Sequence, residues 1–293
     1  MGKIIDFVRG AKITTGKAGR TPRTDKTCEE PTPLNGSKAR EKQNPTGRGG
    51  AQLAKHYAHR GYHDKPNGIP ENSMAAFRRA IEHGFPTEID VHLIADGTLV
   101  VFHDELLERE TGARGEIEDY DLSNLRKLRL EGTDELIPAF DEVLELYEDT
   151  GLPLLIELKV NRGNYRALAE AVVKRLDTYK GSFAVQSFDP RAMMIIRKMR
   201  PGFTRGMLSM DFFRDPHGLP LYQIPLLTNL VMRELVKPDF IAYQFCDRNN
   251  RVLRRLVDKQ GMAEASWTIR SMEDYNTAAK SGSIPIFEMI DPE

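Results

Sequence analysis

Cysteine is scarce in this chain: Cys28 and Cys246 are the only two in 293 residues, too few to predict a disulfide framework or a thiolate metal site. No apolar run reaches about 18 residues, so no membrane-spanning helix is expected. Residues 1–17 also lack the unbroken apolar stretch of a secretory signal, because Asp6 and Arg9 interrupt it. These absences predict a cytoplasmic protein. Charge of one sign is lacking as well. The net charge is -1, which argues against nucleic-acid binding as the main task.

Aromatic residues are nearly missing from the start of the chain, where Phe7 is the only one before residue 51. That stretch carries 11 Lys and Arg against 5 Asp and Glu, whereas the remainder carries 31 against 38. Such a segment buries too little apolar surface to offset its ordering entropy. Residues 1–52 are therefore expected to form a disordered, dispensable basic leader before a catalytic body at 53–293. A basic arm that binds a partner is the alternative.

From Lys55 onward, short β-like runs alternate with segments of helical period. Eight strands are expected, at 56–59, 88–94, 154–159, 183–187, 204–208, 240–244, 264–268 and 285–288. Met74, Phe77 and Ile81 share one helix face, and Leu168, Val172 and Leu176 share another. Eight strand-helix units over about 240 residues match an α/β (β/α)8 TIM barrel. A doubly wound sheet has the same alternation, but no G-x-G-x-x-G turn follows the first strand. In LIADGTLVVFHD, Asp96-Gly97 between alternating apolar residues predicts a hairpin. A polar insertion at 105–138 follows it. The run at 219–232, LPLYQIPLLTNLVM, reads as a buried outer helix, with an apolar lip at the barrel mouth as the rival reading.

Five short pieces concentrate the chemistry: AHRG at 58–61, PEN at 70–72, TEIDVH at 87–92, FHD at 102–104 and IELK at 156–159. Glu88 and Asp90 stand two apart in a strand, so both leave on one face. Glu157, from an adjacent strand, supplies a third carboxylate. Such a hard oxygen set suits one divalent cation, Mg²⁺ or Ca²⁺, rather than zinc. A salt-bridged cluster with Arg60 or Lys159 is the structural alternative. A two-residue loop at Asp96-Gly97 would set Asp90 opposite His103; a three-residue loop would slip the register by one and turn His103 away. Arg60 and Lys159 are candidates for phosphate oxygens, although Lys159 shares a face with Glu157, and holding that carboxylate in place is the alternative role. Glu71 and Asn72 sit at a helix start, where capping and a role in the site are both open.

The five pieces together resemble the glycerophosphodiester phosphodiesterase family, over a span from about Lys55 to the C-terminus. The resemblance implies the barrel with its small insertion after the second strand. It implies Glu88, Asp90 and Glu157 as metal ligands and His59 and His103 as the acid-base pair, with a cyclic phosphate formed by the substrate's own hydroxyl. It also implies hydrolysis of small glycerophosphodiesters to glycerol 3-phosphate and an alcohol. Looser matches are Gln186-Ser187-Phe188 and Trp267-Thr268, the tryptophan being a candidate glycerol contact. His92 falls at a variable family position and reads as a supporting residue. Ile286-Phe287-Glu288 departs from the family's commoner Gly-Ile-x-Thr-Asp ending, which leaves the contribution of the last strand in question. The rival functions are a lysophospholipase D-like activity on acylated substrates, a non-catalytic barrel, and a nucleic-acid binder using the leader.

Overall fold

A computed structural model describes residues 53–292. The leader expectation and Cys28 lie outside the described residues.

Eight parallel strands form the barrel: β1 (Tyr57–His59), β2 (Thr87–Leu93), β4 (Leu154–Leu158), β5 (Phe183–Ser187), β6 (Arg205–Ser209), β7 (Phe240–Gln244), β8 (Ala263–Ile269) and β9 (Ile284–Phe287). The hydrogen-bonded order runs β1-β9-β8-β7-β6-β5-β4-β2, and a β1–β2 pairing closes it. The extra strand β3 (Leu99–Val101) pairs antiparallel with β2 outside the ring.

Alternation along each strand separates two cores. Ile89, Val91, Ile156, Leu158 and Val185 point outward into a buried layer with the helices. Tyr57, Leu155, Ala184, Leu208, Phe240, Ala242, Ala265 and Ile286 fill the barrel interior. The helix Met74–Glu82 starts where Ser73 Oγ accepts the Ala76 amide at 3.1 Å and buries Phe77. The helix Tyr165–Leu176 buries Leu168, Val172 and Leu176, the stripe its i, i+4 spacing predicts. The insertion has its own small core, in which Ile94, Val100, Phe102, Leu107, Ile117, Leu125, Leu130 and Ile137 are buried together.

Two local expectations are corrected. The β2–β3 register pairs Val91 with Val101 and Leu93 with Leu99, which places Asp90 opposite Phe102 and not opposite His103. The loop is the three-residue kind: Ile94 N donates to Thr98 O at 3.0 Å, and Gly97 takes a left-handed φ of 84°. A type I turn followed by a left-handed glycine needs that third residue. The 219–232 run is not one buried helix either. Only Ile224–Thr228 is helical within it, and Leu221 is 85% exposed. Pro220 and Pro225 limit helix there, since proline removes an amide donor and is tolerated only in a first turn.

Candidate active site

Strand register brings the acidic residues together. β1 pairs with β2 so that His59 meets Glu88, and β2 pairs with β4 so that Asp90 meets Glu157. Ile89 and Val91 point outward, so Glu88 and Asp90 point into the barrel. Glu88, Asp90 and Glu157 are all buried, and one carboxylate oxygen of each lies within 4.8 Å of the others. Oxygens bound at about 2.0–2.6 Å to one ion stand at most roughly 4–5 Å apart, so the set fits a single hard divalent cation.

The electrostatics fit a cation too. Burial, and then the charges of Asp90 and Glu157, push the Glu88 carboxyl well above its ordinary range. Glu157 is raised as well, mainly by burial. For Asp90, burial is outweighed by Lys159, His103, Arg60 and the Asn72 amide, and its carboxyl falls below the usual range. Crowded carboxylates of this kind retain a proton unless a cation takes its place.

Basic and amide groups brace the trio. Lys159 Nζ lies 2.9 Å from Glu157 and 3.4 Å from Asp90. Both carboxylates share its ammonium. Asn72 Nδ2 donates to Asp90 at 3.0 Å. The chain reverses after β1 with Arg60 at φ 57° and Gly61 at φ 85°, where a Cβ on Gly61 would meet that of Ala76 at 2.8 Å. That turn lets the Arg60 amide donate to Glu88 at 3.2 Å. The Arg60 guanidinium pairs with Glu71 at 2.6 Å, and its Nε lies 3.6 Å from Asp90. Ser73 caps the helix, while Glu71 and Asn72 contact Arg60 and Asp90 instead of the helix end.

His59 and His103 each have a carboxylate on Nδ1. His59 Nδ1 lies 2.5 Å from Glu288, and its Nε2 lies 4.0 Å from Glu88. His103 Nδ1 lies 2.6 Å from Asp104. A carboxylate on Nδ1 fixes the tautomer with Nδ1–H donating and leaves Nε2 for chemistry. Burial, then the charges of Arg60 and Lys159, push the His103 imidazole down to about 4. Burial and Arg60 also lower His59, against the opposing pull of Glu288. His103 reaches this corner even though the register argument fails, because β3 ends at Val101 and strand alternation no longer governs it. His92, fully buried, lies 3.2 Å from Glu118 through Nδ1 and 3.4 Å from the His103 carbonyl through Nε2.

Two site residues were not found by sequence reasoning. Glu288 follows β9 in the segment that departs from the family ending, and it also accepts from Arg270 Nε at 2.7 Å. Burial is overcome there by His59, His63 and Arg270, which hold its carboxyl far below the usual range. Arg109, in the insertion, contacts Glu71 and Asp104. The available signal for Glu288 was a carboxylate one residue past the last strand. Trp267 lies across the mouth, its ring centroid 5.5 Å from that of Phe188, and its Nε1 is buried without a hydrogen-bond partner. Phe188 and Trp267 pack on a cluster of Met210, Phe212, Leu219, Ile224 and Leu227.

Residues 59–288 match the model of the glycerophosphoryl diester phosphodiesterase family. The chain belongs to that family. Its barrel and its activity class, glycerophosphodiester phosphodiesterase, are those of its relatives. A glycerophosphodiester phosphodiesterase of Caldanaerobacter subterraneus subsp. tengcongensis is 30% identical over 239 residues, covering 77% of this chain and 89% of that protein. A human lysophospholipase D is 36% identical over 136 residues, 42% of each chain. Among solved structures, the glycerophosphodiester phosphodiesterase of Thermotoga maritima is 26% identical with a TM-score of 0.61, covering 80% of this chain and 95% of that one. An Oleispira antarctica phosphodiesterase in complex with sn-glycerol-3-phosphate shares the fold at 24% identity and a TM-score of 0.66, over 80% and 93%. Among the described residues, no helix is long and apolar enough to cross a membrane.

Proposed function

We propose that the C-terminal face of this barrel hydrolyses small glycerophosphodiesters to glycerol 3-phosphate and an alcohol, with Glu88, Asp90 and Glu157 holding one divalent cation, Mg²⁺ or Ca²⁺. The observation that carries the proposal is the convergence of these three buried carboxylates beside two imidazoles, each pinned through Nδ1 by its own carboxylate. When bound, the cation would supply Lewis-acid stabilisation of phosphate charge. Arg60 would meet a phosphate oxygen through the part of its fork that Glu71 leaves free. Lys159 keeps Asp90 and Glu157 in position and adds positive charge beside the phosphate. Of His59 and His103, one takes the proton of the attacking glycerol hydroxyl through Nε2, and the other gives a proton to the departing alkoxide. Attack by the substrate's own hydroxyl leaves a cyclic phosphate, which water then opens with the two roles exchanged. The indole of Trp267 would flank the glycerol.

The test is release of glycerol 3-phosphate by purified protein. His59→Ala and His103→Ala should each lose about 10²–10⁴-fold in kcat with divalent cation saturating, since that is the usual worth of a placed acid or base. A variant that keeps more than about a tenth of wild-type turnover removes that histidine from the mechanism.

A second reading, hydrolysis of acylated lysophospholipids, is favoured by one observation. Phe213, Leu221 and Tyr222 are exposed large apolar side chains in the segment whose buried residues pack on Phe188 and Trp267. Faster turnover of a lysophospholipid than of its deacylated headgroup diester would select it.

A further inference from the structure

We propose that Arg109 is a positioning residue that sets the angle of His103 by clamping Asp104. The inference rests on the assignment of His103 to the acid-base pair.

The clamp is built by the insertion. Leu107 is fully buried in the insertion core, and Gly112 at φ 71° stops the turn Glu108–Thr111 that follows it. Arg109 is thereby directed back over the barrel mouth. Its Nε donates to Asp104 Oδ2 at 2.5 Å and its Nη2 to Asp104 Oδ1 at 3.1 Å, so both carboxylate oxygens are engaged by one planar fork. The same Asp104 Oδ1 lies 2.6 Å from His103 Nδ1. With both oxygens fixed, the carboxylate cannot rotate about its own bond, and the imidazole has one direction in which to donate. The other edge of Arg109 meets Glu71, Nη2 at 2.8 Å and Nη1 at 3.2 Å. Glu71 in turn holds Arg60 at 2.6 Å. One guanidinium from the insertion thus ties the partner of His103 to the partner of Arg60.

A structural alternative is available, because Arg109 Nη2 also lies 2.6 Å from the buried Glu110. Neutralising that carboxylate alone would give Arg109 no part in catalysis, and the experiment separates the two roles.

Initial rates are measured for wild type, R109A, R109K, D104N, D104N/R109A and E110Q/R109A, with thermal midpoints as a control for folding. Outer partners of an oriented imidazole are typically worth about 10- to 100-fold. R109A should lose that much in kcat, with KM and the half-saturating Mg²⁺ concentration changed less than about threefold. R109K, which keeps the charge but not the fork, should recover part of the loss, and it serves alone if R109A does not fold. Adding R109A to D104N should cost less than about twofold, because Arg109 acts through Asp104. R109A within twofold of wild type, a full additive loss in D104N/R109A, or restored turnover in E110Q/R109A would each overturn the inference. Wild-type protein that releases no glycerol 3-phosphate would instead remove the functional reading beneath it.

Discussion

Replacing Glu288 by glutamine removes one charge and almost no volume from the partner of His59. The bond that loses its negative charge is short, 2.5 Å, and lies between a buried imidazole and a carboxylate that is itself aligned by Arg270 at 2.7 Å. Hydrogen bonds to charged groups contribute about 1.5–3 kcal/mol, and each 1.36 kcal/mol is tenfold in rate. A decrease of about 10- to 150-fold in kcat follows if the bond matters in full at the transition state. The sign of the pH effect also follows. Burial and Arg60 lower the His59 imidazole, while Glu288 and Asp90 raise it. E288Q therefore weakens the pull that favours the protonated ring, and the limb of the pH–rate profile belonging to His59 should move to lower pH. Glycerol 3-phosphate release across pH, with cation saturating, is the assay. Glu288→Asp, which keeps the charge but not the reach, should fall between wild type and E288Q. Retention of more than half of wild-type kcat by E288Q, with an unmoved profile, would refute the account of His59.

Two stability predictions and one on the trio follow from the same structure. Glu264 is buried and held by Arg248 at 2.7 Å and Arg254 at 2.6 Å, so Glu264→Gln leaves the buried Arg248 without a countercharge and Arg254 with only Asp258 at 3.5 Å; about 3–5 kcal/mol of stability should be lost in urea unfolding, and a loss below about 1 kcal/mol would contradict this. Burial pushes the Glu264 carboxyl up, but the two arginines outweigh it and hold it below its ordinary value; its contribution should be complete above the unfolded carboxylate pKa of about 4.3 and fade as pH falls through the lower folded value, and E264Q should lack that acid dependence. Gly206 faces Phe240 across β6 and β7, and an added Cβ would fall inside van der Waals contact with that ring; Gly206→Ala should cost about 1–3 kcal/mol in the same assay. Lys159→Met removes the ammonium that braces Glu157 and Asp90, so kcat should fall while cation affinity rises, and calorimetric titration showing weaker Mg²⁺ binding would reverse the role given to Lys159.

Long periodic elements were legible because burial on one or two faces leaves a pattern in the residues. All eight barrel strands fall within about two residues of the expected positions, and the stripe Leu168, Val172, Leu176 is buried as its spacing requires. Glu88 and Asp90 were readable as a same-face pair for the same reason. What failed was set by single residues or by contacts distant in sequence. The hairpin register turned on whether Asp96-Gly97 or Ala95-Asp96-Gly97 forms the loop, and the φ of Gly97 decides that. Glu288 meets His59 across 229 residues, a contact no local pattern encodes. Arg109 sits in a four-residue helical turn, too short for periodicity to reveal. Hydrophobicity alone suggests one helix over 219–232, but Pro220 and Pro225 confine it to Ile224–Thr228.

The most direct test of the account is recovery of activity from chelated protein. Wild type and Asp90→Asn are stripped of divalent ions, then assayed for glycerol 3-phosphate release from a glycerophosphodiester while Mg²⁺ or Ca²⁺ is titrated back. The account predicts that stripped wild type is inactive and regains turnover with saturable dependence on one of these ions. It predicts that Asp90→Asn needs far more cation or never recovers. Full turnover by the stripped enzyme, or an unchanged titration in Asp90→Asn, would contradict the assignment of Glu88, Asp90 and Glu157 as the cation site.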